Sequence, residues 1–165
     1  MKVLDGRVIV DDLDGFVADL GEVADTHDVT IQAFDARYVA GRRHLERAVE
    51  CADRALERGE NVARDRAVEI LLYAAGRRQI DRALEMGVDE GEPDVVVLID
   101  GDGDETGAAK AVEKRFDFTN GSTLEPTDEE TLCAFFEITD AERAATTATL
   151  EELVCERVAL LEVEK

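Results

Sequence analysis

Residues 95–100 read VVVLID, an uninterrupted apolar run of strand length closed by an aspartate. A run of this kind predicts a strand covered on both faces, because a strand with one wet face alternates apolar and polar side chains. Toward the N-terminus, VTIQAF (29–34) reads as another strand. KVLDGRVIV (2–10) sets apolar and β-branched residues around a D-G turn. Between the 29–34 and 95–100 strands lie three helical patterns. The first runs from about Arg42 to Arg58, with Leu45, Ala48, Val49, Ala52 and Leu56 on one stripe and Gly59 as its stop. In the second, Asn61 is the expected N-cap, Ala67, Ile70, Leu71 and Ala74 form the buried stripe, and the helix ends at Gly76. The third turns Ile80, Ala83 and Leu84 inward and closes at Gly87.

Downstream of VVVLID, a helix is expected over Thr106–Arg115. Two S/T-x-x-E capping boxes, Thr127 with Glu130 and Thr149 with Glu152, start helices near 128–136 and 150–160. The terminal LLEVEK suits an edge strand. Strands and helices in this order predict an α+β (α/β-like) fold, one domain over 1–165 with a small mixed β-sheet packed by several helices.

Charge bounds the function. The chain carries 40 acidic against 19 basic residues, a net charge of -21, and the acids are spread through nearly every turn instead of forming a tail. Diffuse repulsion of this size destabilises a compact chain at low salt and is screened within about 3 Å at 1 M. It reads as adaptation to a salt-rich cytoplasm; the competing reading is an acidic surface built to meet a basic ligand. No segment has the length of a membrane span, and the N-terminal residues lack the apolar core of a signal peptide, so a cytoplasmic protein without membrane contact is expected.

Cys51, Cys133 and Cys155 are odd in number and widely spaced, which suits small buried apolar side chains better than a disulfide framework. With His27 and His44 far apart, no zinc constellation is available, and no cofactor is implied. LIDGDGDETG (98–107) has the wrong glycine spacing for a dinucleotide fingerprint. As a calcium loop it puts Glu105 and Ala111 where glycine and a bidentate glutamate belong. A magnesium-dependent phosphotransferase or hydrolase using Asp100 and Asp102 remains the enzymatic alternative, although the lysine such chemistry needs is not supplied downstream. Without a nucleophile–base pair, a P-loop or H-E-x-x-H, the chain reads as a non-catalytic binding module.

The positive charge is not spread evenly. Between Arg37 and Met86 stand 11 arginines against 9 acids, while the remaining 115 residues hold 8 basic and 31 acidic groups. Exposed i, i+4 pairs such as Glu50–Arg54 are worth only a few tenths of a kcal/mol. A surface that meets an anion explains the retention better. His44, Arg47, Arg54 and Arg58 fall on one flank of the first helix. Gly76 lets the second helix break, so that Arg77, Arg78 and Gln79 open the next one and present guanidinium forks with free backbone N–H groups. Tyr73 and Glu69, one turn upstream, offer an aromatic plane and a carboxylate. On these residues alone, nucleic-acid and small-anion binding stand equal.

HLERAVECADRAL (44–56) followed by ARDRAVEILLYAAGRRQIDRAL (63–84) resembles the accessory subunit of the KEOPS complex, the PRPK-binding-protein (TPRKB) family. The similar helix in that family's archaeal members has the pattern E-I-L-x-x-x-[SA]-G-x-R-Q-I, matched here by Glu69, Ile70, Leu71, Gly76, Arg78, Gln79 and Ile80. The likeness is specific over about residues 42–87. It implies a halophilic archaeal version of a non-catalytic subunit whose partners are the complex's small atypical protein kinase and the 3′ CCA end of tRNA, in support of threonylcarbamoyladenosine modification. The RNA end would lie near Gly76, Arg77, Arg78 and Gln79, with His44 and Tyr73 as neighbours. A kinase-facing surface is expected where a helix leaves an apolar face partly exposed, and Leu150, Leu153, Val154 and Leu161 form the candidate. A scaffold whose arginines are only structural, without RNA binding, is the runner-up.

Overall fold

A computed structural model describes every residue except Thr123, Glu125, Pro126 and Lys165, and the backbone alone of Glu164. The first half runs β1 (Lys2–Arg7), α1 (Leu13–His27), β2 (Thr30–Asp35), α2 (Arg42–Arg58), α3 (Arg66–Ala75) and α4 (Ile80–Ala83). The second runs β3 (Asp94–Asp100), α5 (Glu105–Arg115), β4 (Thr119–Asn120), α6 (Glu129–Phe136), α7 (Asp140–Ala144) and α8 (Leu150–Glu164). The class is α+β. Two compact units share the chain: Met1–Ala36 with Gly87–Glu125, and Arg37–Met86 with Pro126–Lys165.

In the first unit VVVLID is β3, the strand between β2 and β1 in the order β2-β3-β1-β4, and its residues 95–99 are buried on both faces. Every pairing is antiparallel, with Ile31 opposite Ile99 and Leu4 opposite Val97, so the sheet is not mixed. A central strand buries both faces whichever way its neighbours run, and the apolar run therefore carried no information on direction. Each pair of strands joined by a helix, β1-α1-β2 and β3-α5-β4, encloses a strand of the other pair, which is the ferredoxin-like arrangement. Phe16, Leu20 and Val23 of α1 and Ala108, Ala109 and Val112 of α5 close the core on one face, against Ile31, Ala33, Val95, Val97 and Ile99.

The sequence reading missed α1. Its stripe of Leu13, Phe16, Leu20 and Val23 is helical, but Gly15, Gly21 and four acidic residues among the fifteen weaken every local propensity signal. The D-G pair in KVLDGR is not a turn either: β1 runs straight through it, and Gly6 pairs with Val95 and Asn120 on its two sides. A Cβ at Gly6 would collide with the Thr119 carbonyl and the Phe118 ring, so the glycine is required by the close approach of β4.

The second unit is helical. α2 packs on α3 and α8, and α8 also meets α3 and α6. Leu45, Ala48, Val49, Ala52 and Ala55 of α2 are buried, as are Ile70, Leu71 and Ala74 of α3 and Leu132 and Phe136 of α6. Gly59 and Gly76 end α2 and α3 in the left-handed region, as their positions predict. Three boundaries differ from expectation. The cap of α3 is Asp65, which accepts from the N–H groups of Ala67 and Val68, while Asn61 folds back on the Ala63 carbonyl. At α6 the cap is Asp128 and not Thr127, with its carboxylate on the Thr131 N–H and hydroxyl. The carboxylate offers two acceptors and the stronger interaction with the helix dipole. The Thr149–Glu152 box forms as read, and the Thr139 hydroxyl, accepting from the Glu142 N–H, caps α7. The described part of LLEVEK, residues 160–164, is helical instead of an edge strand, and Lys165 lies outside the described residues.

Candidate functional site

The candidate site is the reversal after α3. Gly76 sits at φ 62° and ψ 34°, and its N–H and that of Arg77 return to the carbonyls of Tyr73 and Leu72 at 3.0 Å each. The chain leaves α3 there, and Arg78 and Gln79 stand exposed before α4 begins at Ile80. Only Ala83 of α4 is buried. Ile80 and Leu84, expected to face inward, are 46% and 58% exposed, because α4 is a single turn followed by a 3₁₀ turn over Leu84–Met86 and keeps no continuous helical stripe. Arg82 is exposed as well and makes no ion pair among the described residues.

Arg77 does not accompany Arg78 into solvent. It is half-buried, donates from Nη2 to the Phe135 carbonyl, and holds its guanidinium 4.8 Å from the Phe135 ring centroid. The carbonyls it approaches are those of the α6 C-terminus, where a cation offsets the negative end of the helix dipole. Arg157 of α8 completes the cap. Its guanidinium donates to the carbonyls of Phe136 at 3.1 Å and Glu137 at 3.2 Å, and grips the Glu142 carboxylate at 3.0 and 2.6 Å. Those bonds hold the Glu142 carboxyl below the usual range for glutamate. Nothing in the local sequence signals Arg157, because all its partners lie 15 to 21 residues away.

His44 and Tyr73 are corrected as contact residues: both are fully buried. The His44 Nε2 donates to the Ala74 carbonyl at 2.8 Å, and Nδ1 accepts from the Ala40 N–H at 3.1 Å. Its ring meets Phe136 edge-on at 5.6 Å. Burial outweighs the Ala74 hydrogen bond and brings its pKa down to about 4. A neutral imidazole with both nitrogens engaged pins the last turn of α3 and offers nothing to a ligand. Glu69 is buried too, and its carboxylate accepts from the backbone of Val62 and Ala63, tying the α2–α3 connection to α3. Periodicity put Glu69 and Tyr73 on one face of α3 and could not tell that it turns inward, and it grouped the buried His44 with Arg47, Arg54 and Arg58, which stay at least partly exposed.

The expected anion-binding flank of α2 is occupied by internal carboxylates. Arg54 makes two bonds to Glu162 of α8 rather than meeting Glu50, and Arg58 approaches the same carboxylate. Arg47 pairs with Glu50, and Arg66 binds Asp53 through Nε at 2.8 Å and Nη2 at 3.0 Å. Between α2 and α8 lies a crevice of about 490 Å³ in which Arg43 and Arg47 are interleaved with Glu46, Glu50, Glu152 and Glu156. That lining selects no single charge.

The proposed kinase face is corrected as well. Leu153, Val154 and Leu161 are buried and Leu150 is half-buried, because the apolar stripe of α8 packs on α2 and α3. The apolar side chains that α8 exposes are Leu160 and Val163, either side of Glu162. On the other unit, Asp100 and Glu105 meet the Met1 amino group, and Asp104 caps α5 through the Gly107 N–H. No metal-holding group of His, Cys, Asp and Glu occurs among the described residues. Cys51, Cys133 and Cys155 are free thiols, the first buried and the others half-buried.

A family model described as kinase binding protein CGI-121 matches residues 13–162. The chain belongs to the CGI-121 family. The CGI-121 match takes in the Gly76 reversal, the α6 cap and nearly all of α8, whereas the likeness legible in the sequence covered about residues 42–87. It thus includes α1, the helix that local patterns hid. Comparison with curated proteins gives no match. Among the described residues no helix is long and apolar enough to cross a membrane.

Proposed function

We propose that this chain is the non-catalytic kinase-binding subunit of a KEOPS-type complex, in a salt-loving archaeon, and that it also holds the 3′ CCA end of tRNA during threonylcarbamoyladenosine formation. The kinase half of this reading is carried by membership of the kinase-binding family. The RNA half rests on the Gly76 reversal, which leaves Arg78 and Gln79 exposed within the least acidic part of the sequence, beside exposed Arg82 and the apolar Ile80 and Leu84. Arginine forks for phosphate and apolar surface for unstacked bases suit a single-stranded end. In concentrated salt, counterion release supplies little affinity, so shape and bidentate contacts must carry recognition.

Two experiments test the halves separately. Tagged protein drawn from native high-salt lysate carries a small kinase with it; recovery of the chain alone refutes the first half. Arg78→Glu abolishes binding of a CCA-ended oligonucleotide with thermal stability unchanged, and equal binding by the variant removes the site. One observation favours a scaffold that binds no RNA: Arg47, Arg54, Arg58, Arg66 and Arg77 are all engaged within the chain. Kinase recovery without RNA protection selects that reading.

A further inference from the structure

Arg77 and Arg78 are neighbours in the sequence, yet only Arg78 is exposed. The two turns that lead into Arg78 are fixed from several directions. His44 holds the Ala74 carbonyl, the Gly76 and Arg77 N–H groups hold those of Tyr73 and Leu72, and the Arg77 side chain ties the strand of chain to the end of α6. The end of α6 is in turn immobilised by Arg157 from α8 and by an aromatic chain, with Tyr38 edge-on to Phe135 at 5.1 Å and Phe135 edge-on to Phe136 at 5.0 Å. The Gly76 α-carbon also lies close to the Arg157 backbone, since a Cβ there would stand 3.4 Å from that carbonyl oxygen.

We infer that Arg77 is a positioning residue: through Phe135 it locks the α3–α4 reversal onto the α6 C-terminus, so that Arg78 and Gln79 are presented in one fixed geometry to the RNA end. The inference rests on the RNA-binding reading above and assigns Arg77 a role different from contact. The Nη2 bond to the Phe135 carbonyl and the stacking on the Phe135 ring fix the direction of this guanidinium toward α6. Presenting a rigid Arg78 removes the ordering cost that a mobile arginine would meet on binding.

The salt dependence of affinity separates positioning from contact. An arginine that neutralises a phosphate contributes about 0.7 to the slope of log affinity against log salt for a single strand, whereas a residue that only orders another contributes nothing. The probe is a fluorescent single-stranded RNA ending in CCA, titrated with the full chain over a range of KCl in which circular dichroism shows it folded. Arg77→Ala weakens binding about tenfold with the slope unchanged. Arg77→Lys, which can still donate to the Phe135 carbonyl, recovers most of the loss. Phe135→Leu, which keeps the site packed, weakens binding in the same way, and the Arg77→Ala/Phe135→Leu double variant loses no more than the larger single loss. Arg78→Ala serves as the contact reference and lowers the slope by about 0.7.

A slope lowered in Arg77→Ala as in Arg78→Ala makes Arg77 a contact and overturns the inference. So does unaltered affinity in Arg77→Ala, or additive losses in the double variant. Failure of the unmutated chain to bind the probe refutes the RNA-binding reading itself, and unchanged binding in Arg78→Ala refutes the site assigned to it.

Discussion

Mild acid should weaken the fold through His44, because the unfolded chain takes up a proton there that the folded chain does not. In the folded chain this imidazole is enclosed, neutral and bonded at both nitrogens, with a pKa of about 4. In the unfolded chain it returns to about 6.5. The unfolded state therefore binds a proton between these values that the folded state refuses, and stability falls as pH drops through 6.5 until the folded imidazole titrates near 4. The full span corresponds to about 3 kcal/mol, and about 2 kcal/mol of it is lost by pH 5. Protonation at Nδ1 would also set an N–H against the Ala40 N–H that now donates to it.

Carboxylates titrate over part of the same range, so the measurement is a difference. Urea unfolding of the unmutated chain and of His44→Phe is followed at constant KCl at pH 7.5 and pH 5. The variant leaves the Ala74 carbonyl and Ala40 N–H without His44, a loss that is itself independent of pH and makes it less stable at pH 7.5. Its deficit then shrinks by about 2 kcal/mol at pH 5, because only the unmutated chain suffers the histidine penalty. A deficit that stays constant between the two values, or an imidazole NMR titration of the folded chain centred near 6.5, refutes the argument.

Other perturbations have expected outcomes of their own. Arg157→Ala, which removes the grip on Glu142 and on two carbonyls of the α6 end, costs about 2–3 kcal/mol in chemical denaturation; a loss below 0.5 would show the cap to be dispensable. Gly76→Ala costs about 1–2 kcal/mol through left-handed backbone strain, since the 3.4 Å approach to Arg157 is ordinary contact, and an unchanged melting temperature would refute it. Gly6→Val separates β4 from β1 and accelerates exchange of the Gly121 amide, now 3.0 Å from the Asp5 carbonyl. Glu162→Gln frees Arg54 and Arg58 from a shared carboxylate and, because both arginines reach solvent, lowers stability by no more than about 1 kcal/mol.

What could be read in the chain varied with the range of the interactions involved. Helix ends at Gly59 and Gly76, the buried strand at VVVLID and the Thr149–Glu152 cap each follow from residues within a few positions of one another. The α1 helix escaped because its glycines and acids lower its propensity, and only the cover it provides for the sheet with α5 stabilises it. The partner shared by Arg54 and Arg58 was not legible, because Glu162 lies 108 residues beyond Arg54. For the same reason the apolar stripe of α8 was recognised while its burial against α2 and α3 was not.

By itself, the sequence determined the class of fold, the left-handed break at Gly76 and the family likeness of the segment around it, because helix periodicity, chirality and glycine's missing Cβ act over a turn or two. Only the tertiary structure decided which side of each element meets water. It set Arg77 against Phe135 and left Arg78 exposed, and it enclosed His44 between Ala40 and Ala74. Burial and ion pairing depend on what other segments bring alongside, and spacing along one helix cannot encode the neighbour that arrives from 58 or 108 residues away.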